Sequence, residues 1–138
     1  SYIIKATETD ADNALYWTKY ATINARLNFL EECDYGYRRA LELGNYELST
    51  WIDRCDVLLK IGDLDTAISN VESGLEFYPQ DVELLYRLAG LYLKKGAHIK
   101  GKFYLQNALK SNAEYVMILE ELFPLVFNDP EIQQLIKV

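Results

Sequence analysis

A repeat with a fixed period is the feature that most constrains what this chain can fold into. Shifted against itself by 34 positions, the sequence aligns Trp17 with Trp51 and Leu85 without a gap. Residues 34 positions apart form columns of similar size. One column of small residues is Cys33, Ala67 and Gly101, and a second is Ala40, Gly74 and Ala108. A column of large apolar residues is Tyr37, Val71 and Leu105. A fixed period of this length is typical of tandem structural units. We therefore predict three units, at 14–47, 48–81 and 82–115.

Each unit is predicted to be a pair of helices, because its apolar residues recur at intervals of three and four in two runs joined by a short turn. In the middle unit the first run is LSTWIDRCDVLLKI and the second is LDTAISNVESGLEFY. Small residues in two columns let the two helix backbones approach closely, while the large column fills the space beside them.

The turn of the middle unit, IGDLDTAI, contains two aspartates that invite a metal-binding interpretation. The other turns have no copy of this pair, and a divalent cation needs further oxygen ligands. We instead expect Gly62 to end the first helix in a left-handed conformation and Asp63 to cap the second. Asn28 and Gly96 occupy the matching positions of the other units.

The middle unit resembles the tetratricopeptide repeat, whose pattern is W-x2-L-G-x2-Y, then A-x3-F, then P, within a unit of the same length. Trp51, Cys55, Leu58, Ala67, Val71 and Pro79 fall in those columns, although Arg54 stands where leucine is usual. The third unit matches through Leu85, Leu88, Ala89 and Tyr92, and the first through Trp17, Ala21, Tyr37 and Ala40. The resemblance implies an all-α superhelix of about three helical hairpins, forming a single domain overall.

The two ends are predicted to differ from the repeats. Residues 1–12 continue the period backwards, with Ile3 in the large column and Ala6 in a small one, so we expect the tail of a preceding helix or an upstream repeat. Residues 116–138 break the period, and we predict a C-terminal cap of two helices because terminal repeats must cover the last apolar face. The one methionine is Met117, so we also expect a processed chain or a piece of a longer one.

No catalytic or metal-binding constellation is predicted. His98 is the one histidine, and Cys33 and Cys55 fall in packing columns, where a thiol behaves as a small apolar group. A tetrahedral zinc site would need a further carboxylate ligand. We expect neither enzyme activity nor a cofactor.

Composition narrows the class of partner. A net charge of -7 argues against a nucleic-acid surface, and the sequence holds no apolar run long enough to insert in a membrane. We expect a soluble chain; its compartment stays open, with the cytoplasm favoured.

The resemblance implies a scaffold that binds a partner's peptide or helix in a concave groove lined by the first helix of each pair. Carried over by position, the lining is Leu15, Thr18, Lys19, Thr22, Arg26, Ile52, Asp56, Leu59, Lys60, Tyr86, Arg87, Leu93 and Lys94. Arg26, Lys60 and Lys94 recur at the period of the repeat, which favours an acidic and apolar peptide. The alternatives are an accessory or sensor segment of a longer enzyme or regulator, and a module that self-associates into a homo-oligomer through this groove.

Overall fold

The computed structural model describes residues 9–137, and within that range it contains helices and no strand. The all-α class is thereby confirmed. The helices fall into two compact units, whose boundary lies between Asp63 and Leu64, inside the predicted repeat 48–81. The predicted tail with Ile3 and Ala6 lies outside the described residues, apart from its last four positions.

Unit 1 contains three helices: α1 (Asp10–Arg26), α2 (Leu30–Glu42) and α3 (Leu48–Ile61). α1 begins ahead of position 14, where the first repeat was predicted to start, because the Thr9 hydroxyl accepts a hydrogen bond of 3.1 Å from the backbone N–H of Asp12. Residues 10–12 are therefore part of the first helix.

Helix α2 packs on both α1 and α3. Gly36 of α2 lies so close to α1 that a Cβ atom there would be 2.9 Å from the Cβ of Ala21. Ala21, Cys33, Tyr37 and Val57 form one buried cluster drawn from all three helices. The small and large columns of the repeat thus serve the packing that the sequence predicts.

The turns also recur at the predicted interval. Asn28, Gly62 and Gly96 have φ of 61°, 91° and 93°, the left-handed region that asparagine and glycine tolerate best. The N–H of Gly62 donates to the Leu58 carbonyl at 2.9 Å and closes the end of α3. This turn ends a helix, as the sequence predicts.

Unit 2 contains the remaining elements: α4 (Leu64–Phe77), α5 (Val82–Lys95), α6 (His98–Ser111), a 3-10 turn (Ala113–Val116), α7 (Met117–Leu122), α8 (Pro124–Phe127) and α9 (Pro130–Lys137). α5 packs between α4 and α6, and α7 and α8 also contact α5. Consecutive helices therefore pack on one another within each unit, as they do in an array of stacked hairpins.

The C-terminal cap differs from the predicted helix pair. Pro124 starts a one-turn helix, α8, between α7 and α9, so three short helices follow the 3-10 turn. A proline is favoured at the first position of a helix, where no N–H is needed. Leu119, Phe123 and Ile132 anchor these helices, with at most 3% of each residue exposed.

Candidate functional site

One stripe of α1 carries several predicted lining residues on the surface. Leu15, Lys19, Thr22 and Arg26 are spaced by four, three and four, which places them on one side of the helix. All four are exposed, and Leu15 is 54% exposed although it is apolar.

Thr18 beside this stripe has a structural role. Its half-buried hydroxyl donates to the Ala14 carbonyl at 2.9 Å and accepts from Asn45 Nδ2 at 2.8 Å. Asn45 precedes α3, so this pair of bonds fixes the α2–α3 connection against α1.

Tyr37 links the α1 stripe to α3. Its hydroxyl lies near the Thr22 side chain of α1 and in the field of Asp53 and Asp56 of α3. Burial, and then the charge of Asp53, raise the pKa of Tyr37 to about 12, while the Thr22 hydroxyl opposes that shift. The structure thus brings two predicted residues, Thr22 and Asp56, to the same tyrosine.

The predicted lining residues of α3 also reach the surface of unit 1. Ile52, Asp56 and Leu59 are half-buried, and Lys60 is exposed in the last turn. Burial and the neighbouring Asp34 raise the pKa of the Cys33 thiol to about 11, and the charge of Lys60 acts in the opposite direction. We call the predicted lining residues of α1 and α3 other than Thr18 the unit 1 face: Leu15, Lys19, Thr22, Arg26, Ile52, Asp56, Leu59 and Lys60.

In unit 2, three of the four predicted lining residues are buried and do not line an open groove as the sequence predicts. Tyr86 is 0% exposed and its hydroxyl donates to the Asn112 carbonyl at 2.8 Å. Arg87 is buried and lies 3.5 Å from the Glu83 carboxylate, and Leu93 is also buried. Lys94 alone remains exposed.

The physical reason is that both α6 and the C-terminal segment pack on α5. Phe123, which is 2% exposed, lies against Gly90, where an added Cβ atom would be 2.2 Å from the phenylalanine ring. The 3-10 turn, α7 and α8 all contact α5.

The sequence itself indicates that the C-terminal segment packs on α5, but aligning residues to the repeat pattern does not reveal it. Phe123 and Pro124 stand where the repeat pattern calls for a small residue that starts another turn. A large aromatic residue there, opposite a glycine in α5, indicates that the C-terminal segment packs closely on that helix.

Across residues 9–137, no group of three or more histidine, cysteine, aspartate or glutamate side chains is arranged to hold a metal ion. None of the helices in that range combines the length and the apolar character needed to cross a membrane.

Comparison with known proteins gives one informative similarity. No protein-family model matches the chain. A bovine protein described as BBSome complex member BBS4 is 40% identical over 70 residues, which make up 51% of this chain and 13% of the bovine protein. The chain therefore corresponds to a small part of that relative's length.

Proposed function

We propose that this chain is a non-catalytic protein-interaction module of the tetratricopeptide type, and that the unit 1 face is its binding surface. The observation that carries the proposal is the contrast between the two units. The predicted lining residues of α1 and α3 remain exposed or half-exposed, whereas Tyr86, Arg87 and Leu93 of α5 are buried.

The chemistry of the unit 1 face favours a partner segment with acidic and apolar residues. Leu15 on α1, together with Ile52 and Leu59 on α3, offers apolar area, and an exposed apolar patch of this kind suits an amphipathic helix or an extended peptide. The cations Lys19 and Arg26 of α1 and Lys60 of α3 are exposed on the same two helices. Cations at the edge of an interface steer an acidic partner and suppress basic ones.

The helix dipole offers a second reason for basic residues here. Arg26 and Lys60 lie in the last turns of α1 and α3, where a cation is stabilised by about 0.3 to 1 kcal/mol. Lys19 lies in the middle of α1, and the dipole effect does not extend that far. Lys19 is therefore the residue that favours a binding role over a structural one.

The bovine relative supports a protein partner. Its name describes a member of a complex, and a member of a complex contacts other proteins. We extend this to the chain as a role in holding a protein partner, through the unit 1 face.

The test is a selection of binders from a random peptide library displayed against the full chain. We expect the enriched peptides to combine acidic and apolar residues. Lys19→Glu with Arg26→Glu should weaken their binding by about tenfold or more, as expected for the loss of two charge contacts at an interface edge. Both residues are exposed, so the fold should be retained.

The matched control is Lys110→Glu with Lys137→Glu, which makes the same change in net charge on helices α6 and α9 of the other unit. This control should bind as the wild type does. The proposal is wrong if no peptide is enriched, or if the enriched peptides bind the Lys19 and Arg26 variant as tightly as the unchanged chain.

A further inference from the structure

The C-terminal segment, residues 113–137, and the helix pair on which it packs carry opposite charge. Residues 84–113, which include most of α5 and all of α6, contain no aspartate or glutamate and have six basic residues: Arg87, Lys94, Lys95, Lys100, Lys102 and Lys110. Residues 114–136 contain no lysine or arginine and have five acidic residues: Glu114, Glu120, Glu121, Asp129 and Glu131. The chain thus places an acidic segment on a basic helix pair.

The contacts between the two show what holds the segment in place. Helices α7 and α8 contact α5, and α9 contacts α6. Three apolar residues of the segment are buried: Leu119, Phe123 and Ile132. The Phe123 ring lies against Gly90 of α5, and Lys102 Nζ of α6 lies 2.8 Å from Glu131 Oε2 of α9. All five acidic residues are exposed, so the segment combines apolar anchors with an acidic outer side.

The segment makes few buried contacts for its length. Helices α7, α8 and α9 have 6, 4 and 8 residues, and a helix shorter than about 12 residues is marginal without tertiary packing. Met117 and Leu125 are 64% and 89% exposed, so they contribute little burial. A region with few buried contacts opens locally at a lower free energy than the core of a domain. We therefore expect the segment to open while α5 and α6 stay folded.

We propose that the surface of α5 and α6 under the C-terminal segment is a closed binding site for an acidic, apolar segment of a partner protein. The chain's own segment occupies this site and shows the chemistry that it accepts. Leu119 and Phe123 are four positions apart, which places them on one side of a helical turn, with carboxylates on the outer side. An acidic partner is selected because basic residues are the charged residues of 84–113.

This inference does not rest on the proposed function, because it concerns unit 2, whereas the unit 1 face belongs to α1 and α3. The tether keeps the C-terminal segment at an effective concentration on the order of millimolar, so a peptide added at micromolar concentration competes poorly with it. A partner segment gains access when it binds more tightly than the tethered segment, or when the tethered segment is weakened.

The test is the binding of a fluorescent synthetic peptide of residues 113–137 to the full chain, measured by anisotropy. Phe123→Ala in the chain removes the ring that lies against Gly90 and should raise the affinity for the peptide by about tenfold or more. Phe123→Leu, a milder change, should raise the affinity by a smaller factor. Leu125→Ala is the matched control: this residue lies in the same segment but is 89% exposed, so the variant should bind the peptide as weakly as the wild type does.

Two further substitutions in the Phe123→Ala chain test where the peptide binds. Adding Gly90→Ala should weaken peptide binding by about tenfold, because the peptide's phenylalanine needs the space beside Gly90. Adding Lys102→Glu instead should weaken binding by about threefold, and a peptide with Glu131→Lys should restore it. Failure of this rescue overturns the charge match between partner and site.

A third substitution separates this site from the unit 1 face. Lys19→Glu with Arg26→Glu, placed in the Phe123→Ala chain, should leave the affinity for the peptide unchanged. A loss of binding in that variant would assign the peptide to the unit 1 face and overturn the proposal.

The proposal is also overturned if the peptide does not bind the Phe123→Ala chain, or binds it no more tightly than the wild type. A wild-type dimer in analytical ultracentrifugation that Phe123→Ala abolishes would overturn it as well, because the occupant would then be the C-terminal segment of a second copy.

Discussion

Replacing Gly90 by alanine tests whether the C-terminal segment closes the face of α5. In the structure an added Cβ atom would lie 2.2 Å from the Phe123 ring, far inside the contact distance of two carbon atoms. The ring is 2% exposed and has little room to move. The substitution should therefore force Phe123 away from α5.

Two opposing effects determine how much Gly90→Ala changes the free energy of unfolding. Alanine is favoured over glycine inside a helix by about 1 kcal/mol, and overpacking a buried site costs about 1 to 3 kcal/mol. Gly90→Ala should therefore lower the free energy of unfolding by about 1 kcal/mol. In a Phe123→Ala background the ring is absent, so the same change should instead raise the free energy of unfolding by about 1 kcal/mol.

The four proteins to compare are the wild type, Gly90→Ala, Phe123→Ala and the double variant. Their urea unfolding, followed by circular dichroism, gives the coupling free energy between positions 90 and 123. The predicted result is a reversal of sign, with a coupling of about 2 kcal/mol between Gly90 and Phe123. The reasoning is refuted if Gly90→Ala changes the free energy of unfolding equally in both backgrounds.

Three further predictions concern stability. Gly62→Ala should lower the free energy of unfolding by about 1 kcal/mol through the backbone alone, because Gly62 has φ of 91° and the added Cβ would meet no non-neighbouring atom of residues 9–137 within 4 Å. An unchanged melting temperature in thermal unfolding would contradict this. Burial raises the pKa of Tyr86 from 10.0 to about 12, so the neutral phenol stabilises the fold fully below pH 10 and this stabilisation is lost as the pH rises from 10 towards 12. Urea unfolding across this range should show a smaller fall in the free energy of unfolding for Tyr86→Phe than for the wild type. An equal fall in both proteins would contradict the prediction. Asp34→Ala should lower the free energy of unfolding by about 2 kcal/mol, because the Arg54 side chain, which is 12% exposed and 2.8 Å from Asp34, loses its carboxylate partner. Combining Asp34→Ala with Arg54→Leu should restore most of the lost free energy in the same assay. No restoration would refute the pairing.

The hairpins are predictable from the sequence because local constraints recur at a fixed period. Ala21, Cys33 and Tyr37 occupy columns whose size is set by the approach of two helices, and the structure buries all three. Asn28 and Gly62 mark the left-handed turns for the same reason: few residues tolerate positive φ. Such signals need no knowledge of distant contacts.

Features that depend on contacts between distant segments are not predictable in this way. Alignment to the repeat pattern assigns Tyr86 to an open groove, because the alignment takes no account of Phe123, which packs on the same helix. Arg54 departs from the leucine of the repeat pattern, and the structure explains it through its ion pair with Asp34 of the neighbouring helix. In both cases a tertiary partner outweighs the local pattern.

The most direct test of the account is amide hydrogen exchange of the full chain, with and without a peptide from the library selection. The unit 1 face predicts added protection in α1 and α3, where Leu15, Lys19 and Leu59 would contact the peptide, and no change in α5 to α9. Protection centred on α5, or on the C-terminal helices that cover it, would contradict the central claim.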